Sequence, residues 1–130
     1  TKKKDTHTWI WSQSATSLLS GNVKRIIKKT KTDQRAIASI SLWEFAMMIS
    51  KKRINLKIDP KKWFDYTLKN SGLQIIELSP DIALDACNLP GKFHKDPADC
   101  IIVATARNHN MTLLTKDKKI LEYPHVKSLW

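Results

Sequence analysis

A chain of 130 residues, 42% hydrophobic and 27% charged, is sized for one domain with a real core and leaves no room for a second. No apolar run approaches the roughly 20 residues of a membrane-spanning helix, and the opening Thr1-Lys2-Lys3-Lys4-Asp5 is basic and lacks the apolar stretch of a signal peptide. Twenty-three Lys and Arg against twelve Asp and Glu give a net charge of +11, which points to a polyanion such as nucleic acid, or an acidic protein, as partner.

Helical and strand-like stretches alternate along the chain. Residues 6–13 and 21–31 read as helices, the second capped by Ser20. Ala36–Ile40 is a short strand-like run, and Ser41 then starts a helix through about Lys51, with Leu42, Phe45, Ala46 and Ile49 at apolar spacing. Asp59-Pro60 opens a helix toward Asn70 that Gly72 closes, and Leu73–Leu78 is a strand candidate. Ser79-Pro80 opens a helix reaching Cys87, Pro90–Lys95 is a loop, and Asp96-Pro97 opens a helix over 97–108 that ends near His109-Asn110. Met111–Thr115 reads as a buried strand, Lys118–Leu121 as a short helix and Val126–Leu129 as a last strand. Strand and helix in alternation imply a mostly parallel sheet covered on both faces, with a site beyond the carboxyl ends of its strands.

Acids are scarce in so basic a chain, so their places matter. Asp5 sits near the start and Glu44 shortly after the Ala36–Ile40 run. Asp96 and Asp99 mark the start of the 97–108 helix, and Asp117 follows the Met111–Thr115 strand. In a parallel sheet these positions fall on one side. Converging carboxylates repel one another, and cations among them relieve the repulsion. An oxygen-rich site of this kind suits Mg²⁺ or Mn²⁺, which activates water and stabilises charge on a phosphate oxygen. A plainer account is equally available residue by residue. Ser41-x-x-Glu44 has the form of a capping box, Asp96-Pro97-x-Asp99 is a helix start, and Asp117 can cap the helix after it.

The blocks around these acids resemble those of VapC-type PIN domains. Asp5-Thr6-His7-Thr8-Trp9-Ile10-Trp11 and Ser39-Ile40-Ser41-Leu42-Trp43-Glu44-Phe45-Ala46 are similar to the opening two. Asp96-Pro97-Ala98-Asp99-Cys100-Ile101-Ile102-Val103-Ala104-Thr105-Ala106 and Leu113-Leu114-Thr115-Lys116-Asp117 are similar to the third and fourth, all in family order. The resemblance implies a three-layer α/β/α PIN fold spanning residues 1–130 and a metal-dependent endoribonuclease toxin. It also implies inhibition by a cognate VapB-like antitoxin and a homodimer. It makes Asp5, Glu44, Asp99 and Asp117 the acidic quartet, with Asp96 a fifth carboxylate. Asp5, Asp99 and Asp117 then lie nearest a Mg²⁺ or Mn²⁺ ion, Glu44 acts through a bound water, and Thr6 and Thr115 orient phosphate or carboxylate. Two departures stand out. Lys2-Lys3-Lys4 occupies the place of an apolar strand, at a large desolvation cost if buried on both faces, and Cys100 stands where a basic residue is common.

Cys87 and Cys100 show no zinc-ligand spacing and read as reduced, part-buried core residues of a cytoplasmic protein. His7, His94, His109 and His125 make no metal pattern with one another, and Trp9, Trp11, Trp43 and Trp63 are expected in core or interface positions. The bases cluster between residues 24 and 35 and again between 51 and 62, as an RNA-holding face or as solvated surface. Two rival readings are an RNase H-like acid-cluster nuclease, which wants an antiparallel meander before its first helix, and a noncatalytic basic RNA- or protein-binding module.

Overall fold

Residues 9–11, 35–51, 57–71, 74–115 and 117–130 are described by the computed structural model of the protein. In chain order they form β1 (Trp9–Trp11), β2 (Arg35–Ala38), α1 (Ser39–Ser50), α2 (Pro60–Ser71), β3 (Gln74–Ile76), α3 (Pro80–Cys87), α4 (Pro97–Asn108), β4 (Thr112–Leu114), α5 (Lys118–Leu121) and β5 (Ser128–Leu129). The strands lie in the order β3-β2-β1-β4-β5, and every neighbouring pair is parallel. Ala36, Ile37 and Ala38 of β2 are all buried. Successive strand residues face opposite ways, so both faces of the sheet are covered, as a parallel sheet requires. All pairings among the described strands are parallel, unlike the antiparallel meander that the RNase H-like alternative wants.

β1 corrects the sequence reading. Trp9–Trp11 is the middle strand of the sheet, with Ile10 in register with Ala36 on one side and Leu113 on the other, rather than part of a helix over 6–13. Three contiguous apolar residues fit one helical turn and a buried strand equally well, and ladder partners on both sides decide for the strand. The rest of that expected helix, and the one over 21–31, lie outside the described residues.

A second correction concerns α1. The helix begins at Ser39, after Ala38, and has no side-chain cap. Ser41 is therefore already inside it and fully buried, its hydroxyl without a hydrogen-bond partner. The capping box does not form, because Ala38 is the N-cap and the helix has already begun two residues before Ser41.

The other helices start where their signals lie. Ser79 Oγ accepts the Ile82 N–H at 3.2 Å before Pro80, and Asp96 Oδ1 accepts the Asp99 N–H at 3.0 Å before Pro97. Asp59 Oδ2 accepts the Lys62 N–H at 3.3 Å at the head of α2. That helix is tied to α1 by Trp63 against Phe45, ring centroids 5.6 Å apart.

Helix α4 is the core helix, buried continuously from Ile102 to Ala106. Its end is a Schellman turn: Asn110 takes φ 52°, the Met111 N–H donates to Ala106 O at 2.9 Å and the Asn110 N–H to Arg107 O at 3.2 Å. Asn tolerates that left-handed backbone better than most residues, and the turn delivers the chain straight into β4. Arg107 then clips α4 to α3. Its Nε donates to Asp85 Oδ2 at 2.9 Å and its Nη1 to the His125 carbonyl at 2.7 Å. Cys100 is half-buried as expected, whereas Cys87, at the open end of α3, is exposed; both are free thiols. Among the described residues no helix is long and apolar enough to cross a membrane.

Candidate active site

The strand order reverses direction at β1, and the chain leaves β1 to build β2 and β3 on one side and β4 and β5 on the other. Clefts form outside the carboxyl ends of the strands at such a reversal. Because all strands are parallel, the start of α1, the start of α4 and the exit of β4 lie on that one edge. Asp96, Asp99 and Asp117 belong to two of those places, and Glu44 lies in the second turn of α1, because that helix begins at Ser39 rather than Ser41.

Their electrostatics register the convergence. Burial pushes the Glu44 carboxyl up to about 7, with the charges of Asp99 and Asp96 adding to the shift. Burial likewise pushes Asp99 up to about 6, reinforced by Asp96 and Asp117 and opposed by His94 and Lys119. Four carboxylates from three elements therefore feel one another, the condition that favours a bound cation.

Capping and site-building coexist here. Asp96 caps α4, and Asp117 caps α5 by accepting the Lys119 N–H on Oδ1 at 2.9 Å. Thr115 is fully buried and accepts the Asp117 N–H on Oγ1 at 3.0 Å. Its hydroxyl thus positions the turn that carries Asp117. Glu44 caps nothing, and its Oε1 is buried without a hydrogen-bond partner.

His94 is the residue that sequence reasoning passed over. Its Nε2 lies 3.0 Å from Asp99 Oδ2. One ligand atom each from His94, Asp99 and Asp117 falls within 4.8 Å of the other two. His94 makes no metal pattern with the other histidines, but it stands two residues before the Asp96 cap, and that nearness to the helix start was the available signal. His94 Nε2 is itself buried, and although close to Asp99 it makes no aligned hydrogen bond. Two buried polar atoms without partners, Glu44 Oε1 and His94 Nε2, stand among repelling carboxylates, and residues of these types fit a divalent cation.

Asp5, Thr6 and His7 lie outside the described residues, and the first described strand follows Asp5 in the chain rather than preceding it. Trp43, next to Glu44, is 54% exposed, outside the core and open to an interface. Of the basic clusters, Lys51, Lys57, Lys61 and Lys62 are exposed around the start of α2, and Lys61 pairs with Asp65 at 2.7 Å. From the cluster at 24–35, Arg35 alone is among the described residues.

Comparison with known proteins points to one family. The family model of the PIN domain matches residues 5–126. Ribonuclease VapC22 of Mycobacterium tuberculosis is 31% identical over 121 residues, covering 93% of this chain and 90% of that protein. Among solved structures, FitAcB from Neisseria gonorrhoeae superposes with a TM-score of 0.71 at 14% identity, covering 95% of this chain and 97% of that one. A toxin–antitoxin complex from Klebsiella pneumoniae superposes with a TM-score of 0.58 at 20% identity, covering 95% and 97%.

Proposed function

The chain belongs to the PIN-domain family, and from that premise we propose that it is a metal-dependent endoribonuclease of the VapC toxin type. The observation that carries the reading is the meeting of Glu44, Asp96, Asp99 and Asp117 at one edge of the sheet, with Glu44 and Asp99 raised toward neutrality. Acids gathered at such cost in a chain of net charge +11 serve chemistry better than stability.

Asp99 and Asp117, with Asp5 as third, would hold Mg²⁺ or Mn²⁺. A divalent ion there supplies a Lewis acid for a phosphate oxygen and acidifies a water for in-line attack. Asp96 holds the first turn of α4 and so fixes Asp99, and Thr115 fixes Asp117. Glu44 orients a water through its unpartnered Oε1. The exposed lysines around α2, and the bases between 24 and 35, bind the RNA backbone.

A protein antitoxin as partner is supported by the solved relative that is a toxin–antitoxin complex. A homodimer and a cytoplasmic setting complete the reading. Cleavage of a mixed RNA pool by the purified protein tests it. Cleavage should stop with EDTA and return with Mn²⁺ or Mg²⁺; chelator-insensitive cutting, or none under any ion, overturns it.

A further inference from the structure

We propose that His94 is a direct ligand of the divalent ion through Nε2, and that this imidazole biases the site toward Mn²⁺ over Mg²⁺. The inference rests on the metal-dependent reading above and adds a nitrogen ligand to its carboxylates.

Geometry carries the argument. Nε2 and Asp99 Oδ2 are 3.0 Å apart. Two neighbouring ligands about 2.1 Å from an octahedral ion are about 3.0 Å from each other, so this separation is the length of an octahedral edge. One ligand atom each from His94, Asp99 and Asp117 falls within 4.8 Å of the other two.

The rival explanation is an imidazolium paired with Asp99. An N–H donor at that distance would be expected to point along the contact, yet Nε2 is buried and makes no aligned hydrogen bond. An unprotonated Nε2, the state a metal ligand needs, accounts for both the closeness and the missing bond.

The ring is also held ready. The Cys100 thiol donates to the His94 carbonyl at 3.4 Å, and the Phe93 ring lies against the imidazole with centroids 4.5 Å apart. Fixing both backbone and ring lowers the cost of ordering a ligand when the ion arrives. The selectivity follows from donor type. Mg²⁺ prefers an all-oxygen shell and keeps its waters, whereas an imidazole nitrogen suits the transition ions.

Pulsed electron paramagnetic resonance on the Mn²⁺-loaded protein reads the ligand directly. Wild type should show modulation from a coordinated ¹⁴N, changing to the ¹⁵N pattern when histidine is supplied as ¹⁵N. His94→Gln should lose the modulation and His7→Gln keep it. Because even residues behind the ligands typically cost on the order of 10–100-fold in metal affinity, His94→Gln should weaken Mn²⁺ binding by at least about tenfold. Mg²⁺ binding, measured by competition, should change by less. The isotope experiment needs no variant, so a poorly folding His94→Gln does not remove the test. Tight Mn²⁺ binding without histidine nitrogen coupling overturns the inference while leaving the nuclease reading standing. Failure to bind either ion overturns both.

Discussion

The hydroxyl of Thr115, buried at the end of β4, accepts the backbone N–H of Asp117 at 3.0 Å. A side chain with no exposure of its own thereby sets the turn from which a candidate metal ligand projects. Thr115→Val keeps the shape and removes the acceptor. It should cost about 1–2 kcal/mol in urea unfolding and weaken Mn²⁺ binding in a calorimetric titration. Lost stability with wild-type metal affinity would reduce Thr115 to a structural residue.

Asp99→Asn separates site from cap. Asp96, not Asp99, caps α4, and Asp99 is crowded by Asp96 and Asp117. The variant should therefore melt no lower than wild type in EDTA. It should lose most of the metal-induced rise, which for an ion at one hundred times its dissociation constant amounts to about 2.7 kcal/mol. RNA cleavage should vanish with it. Equal metal shifts in the two proteins would exclude Asp99 as a ligand.

Proton linkage provides a check that needs no RNA. Glu44 and Asp99 sit at about 7 and about 6 in the folded protein, above their ordinary values of 4.5 and 3.8. Between the ordinary and folded values the native state binds more protons than the unfolded chain, so metal-free stability falls as pH rises through that window. The loss is complete above about 7 and absent below about 4. Melting in EDTA from about pH 5 to 8 should show this fall more steeply for wild type than for Glu44→Gln. Saturating Mn²⁺ should reverse the trend, since the ion takes the deprotonated carboxylates. A wild-type slope equal to that of the variant would mean that Glu44 is not raised.

RNA binding should weaken steeply with salt. Neutralising Lys28 and Lys29 together should flatten the log–log slope by about one to two units. An unchanged slope would assign these bases to solvent or to an acidic partner.

Asp5→Asn addresses the acid that the described residues do not reach. As a third ligand, its loss should abolish cleavage and lower Mn²⁺ affinity with little change in metal-free melting. Full activity in Asp5→Asn would leave the ion to His94, Asp99 and Asp117.

How much of this was readable beforehand depended on whether the signal was local. Ser79-Pro80 and Asp96-Pro97 announce helices through caps that need nothing beyond their own first turn, and both helices form where expected. Trp9–Trp11 was misread because a three-residue apolar run acquires its strand character only from β2 and β4, far away in the chain. Ser41-x-x-Glu44 failed in the opposite way: a good local motif was overridden once the helix began at Ser39 and Ser41 became buried. The acids at 44, 96, 99 and 117 were found because each follows a strand or opens a helix on the same edge. His94 was missed because a loop residue declares its role only through what the fold sets beside it.

The sheet ends in very short outer strands, three residues in β3 and two in β5. A strand from another molecule would find too few open amide and carbonyl groups on either flank to add itself to the ladder. Among the described residues, helix and loop surfaces therefore offer a partner more to recognise than the flanks of the sheet do. An edge of backbone accepts any extended chain, whereas side chains on helices and loops discriminate by sequence.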